Sequence, residues 1–215
     1  MLEDLRFYCV LLTILAGCFG FVFWRKLPNG KAKLFLLSIW ISIVFDFVGT
    51  HFTKWTGLFN YVIYNLYNLI IFSIYIILLR SLLEKLFFQK TALLFLLFFI
   101  LTFFLNWFFI QNGLTEILTN SYALGVVFIT VLGSMYLFEL FSTNLILNYS
   151  KSIFFWFVLG VLLFHVTYLP FMLSLKWFLI DYNPTIYGLI LFFLNLLMNT
   201  SFIIGFICSE KRYNY

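Results

Sequence analysis

The chain has 215 residues, 64% of them hydrophobic, 24% aromatic and only 10% charged, with a mean hydropathy of +1.07. Soluble domains average about 45–50% apolar and about 25% charged residues, and a globule of this size keeps too much surface to hide such an excess. A soluble domain, a disordered chain and a disulfide scaffold are excluded, which leaves a polytopic membrane protein.

A helix needs about 20 apolar residues to cross the hydrocarbon core. Seven runs meet that length, at about 7–24, 34–50, 58–79, 91–110, 122–141, 152–175 and 186–208. Barrel strands would alternate apolar with polar residues, whereas these runs are continuously apolar and satisfy their own backbone as helices. The expected fold is all-α, one transmembrane domain over residues 1–215, a bundle of seven helices. Ten of the 13 basic residues fall on one side of that plan (Arg25, Lys26, Lys31, Lys33, Arg80, Lys85, Lys90, Lys151, Lys211, Arg212), against Arg6, Lys54 and Lys176 on the other. The positive-inside bias then places the N-terminus outside and the C-terminus in the cytoplasm. Trp55, Trp107 and Trp177 near the outer boundary, and Trp24 and Trp156 near the inner one, fit an interfacial belt.

The first run follows Met1-Leu-Glu-Asp-Leu-Arg6, two acids against one base, so it is not expected to be a cleaved signal peptide. Cys9 and Cys18 in this run and Cys208 in the last show no metal-ligand spacing, and no structural disulfide is expected. The second run carries Asp46 one turn before its outer end, followed by Thr50 and His51. A charge at mid-bilayer costs about 2.5–3.5 kcal/mol on insertion scales, so each one needs a reason.

The third run is the most informative. Asn60, Tyr61, Tyr64, Asn65, Tyr67, Asn68 and Tyr75 fall within an arc of roughly 160° at helical periodicity, opposite Val62, Ile63, Leu66, Leu69, Ile70 and Ile74. One side faces lipid; the other serves either as a hydrogen-bonded helix interface or as the lining of a ligand site. The fourth run adds Asn106. Glu139, at the cytoplasmic end of the fifth, is expected to snorkel to the headgroups or to a basic loop residue rather than to carry protons. The sixth holds His165, Tyr168 and Pro170. In the seventh, Gly188, Asn195 and Asn199 share a stripe of close-contact type, with Gly205 off it.

Asp46, His51, Asn60, Tyr64, Asn65, Asn68, Asn106, His165 and Tyr168 all map to the middle or outer half. A polar pocket open to the exterior is one expectation, and a buried Asp46–His165 or Asp46–Tyr pair that fixes helix order is the other. A metal-dependent lipid hydrolase would need several ligands and an open coordination position. With only two histidines, and with Asn195 and Asn199 where ceramidase-type amidases place a histidine pair, no metal or other cofactor is expected. The last run has no lysine for a retinal Schiff base, no Pro-Gln pair of the small sugar transporters occurs, and of Pro28, Pro170 and Pro184 only Pro170 lies within a span. No basic stripe lies on a soluble element, so nucleic acid is not an expected partner.

FNYVIYNLYNLIIFSIY (59–75), ELF (139–141), FFWFVLGVLLFHVTYLPF (154–171) and NTSFIIGFIC (199–208) together resemble a family of small integral membrane proteins of Bacteroidetes-type bacteria. Its members have six or seven helices and often stand beside sensor histidine kinases. The likeness covers most of the chain. It implies an acid on helix two, matched by Asp46, and a Tyr-Asn pair on helix three, matched by Tyr64 and Asn65. A second acid of helix three is Ile71 here, and an aromatic of helix six is His165, so no acid-pair mechanism carries over. The resulting expectation is a non-enzymatic, multi-pass module of the bacterial inner membrane, sensory or accessory. It would bind a small or lipidic ligand, or a partner helix, and work beside a membrane protein such as a sensor kinase. Its rivals are a solute or ion transporter or channel, and a metal-dependent intramembrane lipid hydrolase centred on Asp46 and His165.

Overall fold

The computed structural model describes residues 2–27, 30–142, 144–177 and 184–214; Pro28 and the side chains of Lys176, Trp177 and Pro184 lie outside the described residues. The helices are α1 (Leu2–Val22), α2 (Gly30–Thr56), α3 (Tyr61–Leu82), α4 (Leu86–Leu105), α5 (Thr119–Phe141), α6 (Ile153–Trp177) and α7 (Pro184–Cys208). No strand occurs among the described residues. All seven helices are long and apolar enough to cross a membrane, and the protein is an all-α, multi-pass membrane protein. Helix α2 is longer at both ends than its apolar run. It stops at Gly57, whose φ of 72° only glycine adopts without strain and whose N–H bonds to the Thr53 carbonyl.

Residue contacts group the chain into two compact units, residues 1–40 with 140–215 and residues 41–139. Apolar side chains gain nothing by leaving lipid for one another, so packing in such units rests on small residues and fitted rings. In the first unit Phe35, fully buried on α2, meets Phe157 of α6 and Phe202 and Phe206 of α7 at centroid distances of 4.8, 5.0 and 5.4 Å. Such ring pairs are worth about 0.5–1.5 kcal/mol each beyond their area. Small residues admit these rings. A Cβ on Gly20 would overlap Leu36, and one on Gly205 would stand 2.9 Å from Trp156 Cβ. In the second unit Phe72 of α3 lies edge-on to Phe99 and Tyr122 at 5.8 and 5.4 Å, over Gly125 of α5, where a Cβ would come within 2.8 Å of the ring. Helix α4 is apolar all round, and Leu94, Leu97, Leu101 and Phe104 on it stay exposed, as a lipid-facing helix allows.

The C-terminal tail closes one end of the first unit. Asn214, fully buried, accepts the Ile153 N–H with Oδ1 (2.9 Å) and donates from Nδ2 to the Lys26 carbonyl (3.2 Å). Lys26 Nζ donates to the Ile207 carbonyl at the C-terminus of α7 (2.7 Å), where a cation is favoured by the helix dipole. Glu210 pairs with Lys151 and Arg212 at 3.0 and 2.8 Å. The Lys151 bond and then the Arg212 bond hold its carboxyl below the ordinary range.

Candidate functional site

The polar side of α3 divides between two neighbours in the second unit. Asn65 is fully buried and faces the connection between α4 and α5. Its Nδ2 donates to the carbonyls of Gly113 and Glu116, both at 2.9 Å, and its Oδ1 accepts the Leu118 N–H at 3.0 Å. A primary amide offers two N–H groups and two acceptor lone pairs, so three of four places are filled by one loop. Of the two readings open for this side of α3, an interface held by amide bonds or the lining of a ligand site, Asn65 takes the first form, as a clamp on that loop.

The loop is reached through a π turn, Asn106–Ile110, that ends α4. Asn106, 4% exposed, donates to Gln111 Oε1 (3.0 Å) and to Ser121 Oγ (2.8 Å). Gln111, equally buried, accepts the Asn120 N–H (3.1 Å) on Oε1 and points its Nε2 at Thr119 Oγ1 (3.2 Å) and Glu116 Oε2 (3.3 Å). Glu116 Oε1 takes the Asn112 N–H at 3.1 Å. Neither Gln111, Glu116 nor Ser121 was expected from sequence. The available signal is the Gln111-Asn112-Gly113 turn, with its single acid three residues on. Trp107 lies on Gly113 so closely that a Cβ there would overlap the indole. Gly113→Ala is therefore expected to displace the ring, destabilise by about 1–3 kcal/mol as overpacking does, and shift Trp fluorescence; unchanged emission and melting would refute it.

On its other flank α3 meets α2. Ser42 and Tyr67 share a hydroxyl–hydroxyl bond of 3.0 Å, and Asn60 Nδ2 donates to the Gly49 carbonyl at 2.9 Å. Tyr64 lies against Gly49, where a Cβ would stand 2.8 Å from the phenol. Asp46, one turn from both Ser42 and Gly49, lies on this same stripe and is half-buried. Asn68 is half-buried one turn beyond Tyr64. Asp46, Asn60 and Tyr64 thus gather at one seam with Ser42 and Tyr67.

His51 stands apart from that seam. Five residues on from Asp46, it is turned about 140° around the helix and sits between Phe47 and Trp55 at centroid distances of 4.6 and 5.4 Å. Those rings are 57% and 60% exposed, and His51 Nδ1 bonds within its own helix to the Phe47 carbonyl.

His165 and Tyr168 belong to the first unit and are both buried. Phe164 lies 5.0 Å from the imidazole. The Tyr168 hydroxyl meets that of Tyr187 on α7 at 2.6 Å, joining α6 to α7. Asn199 of α7, fully buried, reaches Thr13 of α1 at 3.3 Å, as the expected packing stripe implies. Glu139 corrects an expectation. Rather than snorkelling it is 7% exposed, and its two carboxylate oxygens accept the N–H groups of Glu84 (2.8 Å) and Lys85 (2.9 Å). Those donors precede α4, where unsatisfied N–H groups and the dipole favour an anion.

Among the described residues no three His, Cys, Asp or Glu side chains group as a metal site. No family model, curated protein or solved structure matches the chain.

Proposed function

We propose that the protein is a non-enzymatic module of a bacterial inner membrane, sensory or accessory. It receives a small or lipidic ligand, or a partner helix, at the seam of Asp46, Asn60 and Tyr64. The observation that carries this reading is the use to which the intramembrane amides and hydroxyls are put. Asn60, Asn65 and Tyr67 spend their hydrogen bonds on neighbouring backbone and hydroxyl groups, which suits a scaffold better than a permeation path that must exchange partners with a solute. Asp46, half-buried beside them, is the charged group through which an occupant would be sensed, since an intramembrane acid costs enough to need a function. The family resemblance supplies the partner class, a sensor kinase. An N-terminus outside and a C-terminus in the cytoplasm follow from the lysine and arginine bias.

The protein purified in lipid nanodiscs is expected to retain a co-purifying small molecule or lipid detectable by native mass spectrometry, with occupancy at least about tenfold lower in Asp46→Asn. That factor corresponds to one charge-assisted bond of about 1.4 kcal/mol. Liposomes bearing the protein should show no solute or ion flux above empty ones. Flux that Asp46→Asn abolishes would make the protein a transporter. Bound metal lost on His165→Ala would make it a hydrolase.

A further inference from the structure

We propose that the closed end of the first unit is a seat for the headgroups of anionic phospholipids. The hydrogen bonds of the tail bring three separate stretches together there. Asn214 ties the turn after α1 to the start of α6, Lys26 reaches the end of α7, and Glu210 N–H donates to the Lys151 carbonyl at 2.9 Å. Arg25, Lys26, Lys31 and Lys33 come from the first connection, and Lys151, Lys211 and Arg212 from the other two stretches. Glu210 is the one acid among the described residues at this end. It is already engaged by Lys151 and Arg212, so the end keeps six more bases than acids.

Position decides the kind of anion. These cations ring the ends of four membrane-length helices, at the depth where headgroups lie. Aromatic side chains are set among them as at an interface. Lys33 Nζ lies 5.4 Å over the Trp24 ring, Lys151 Nζ 5.7 Å over Tyr213 and Arg212 Cζ 4.9 Å over the same ring, and Trp24 is 43% exposed. A spread rim of cations with interfacial rings fits a lipid layer carrying many phosphates, and exposed Arg25, Lys33 and Lys211 are placed to meet it.

The test reconstitutes the full chain in vesicles of phosphatidylcholine with a minor share of phosphatidylglycerol and extracts it with its neighbouring lipid by a styrene–maleic acid polymer. Phosphatidylglycerol in the extracted discs should be about fivefold enriched over the bulk, the factor one base is worth at an anionic surface. Raising salt to about 1 M, where the Debye length falls to about 3 Å, should remove most of that enrichment from the wild-type protein, a readout needing no variant. Arg25→Gln/Lys31→Gln/Lys33→Gln/Lys211→Gln should return it to the bulk ratio, whereas Arg6→Gln/Lys54→Gln, at the far ends of α1 and α2, should keep it. Bulk composition around the wild-type protein, salt-independent enrichment, or equal loss in both variants would each overturn the proposal.

Discussion

Replacing Asn65 with alanine is expected to destabilise the protein by about 3–5 kcal/mol, measured as unfolding in mixed detergent–SDS micelles. The side chain satisfies three backbone groups of one loop, the carbonyls of Gly113 and Glu116 and the N–H of Leu118. A buried group left without a partner costs about 1–3 kcal/mol, and more where lipid rather than water lies nearby. Asn65→Asp separates the clamp from mere volume. It keeps the size and the acceptor for Leu118, but turns an oxygen toward two carbonyl oxygens, so it should be at least as damaging as alanine. A ligand-lining asparagine would give another pattern, with alanine well tolerated by the fold and only binding lost. Alanine within about 1 kcal/mol of the wild type, the ordinary worth of an interhelical bond in a membrane, would show that the loop stands without it.

That contrast marks how far the sequence is legible. The seven spans follow from apolar run length because hydrocarbon thickness sets a single requirement that composition must meet. Their ends do not follow from it. Helix α2 runs to Thr56 through Thr50, His51 and Lys54, because polar side chains at the interface do not stop a helix; Gly57 does. Helix α4 begins at Leu86, ahead of its apolar run, because Glu139 caps it from 54 positions away. The sidedness of α3 was equally legible: Asn65 is buried while Leu66 is 38% exposed. Which partner each polar group meets was not, since periodicity fixes a direction around one helix and says nothing of its neighbour. Asn65 turns to a loop, Asn60 and Tyr67 to α2, and His51, close to Asp46 in sequence, to a separate aromatic stripe. Gln111, Glu116 and Ser121 carry no such signal, since they lie between the apolar runs where periodicity has no hold, yet Gln111 and Ser121 are each only 4% exposed.

Glu139→Ala is expected to lower stability by about 2–4 kcal/mol, and Glu139→Gln by about half as much. Both carboxylate oxygens are engaged with consecutive N–H groups of Glu84 and Lys85. Alanine orphans two donors at once, each worth about 1–3 kcal/mol when buried, and removes an anion from the positive end of a helix, worth a further few tenths to about 1 kcal/mol. Glutamine retains one acceptor and sets an NH₂ against the other donor, so one bond survives. The loss should be local before it is global. Hydrogen exchange at residues 84–90, the start of α4, should quicken in Glu139→Ala more than at Phe99 or Phe103, which are almost fully buried in the second half of the same helix. A snorkelling acid in the headgroup layer would behave otherwise, since either substitution would then leave exchange at 84–90 unchanged and stability within about 0.5 kcal/mol. Lys85 sharpens the distinction. Its N–H is held by Glu139 while its ammonium lies 5.4 Å over Phe88 and 5.0 Å over Phe138, so Lys85→Ala keeps the backbone bond and loses only the cation–π contacts, about 0.5–1 kcal/mol each at an exposed site. Glu139→Ala costing no more than Lys85→Ala would mean that the carboxylate is not what starts α4.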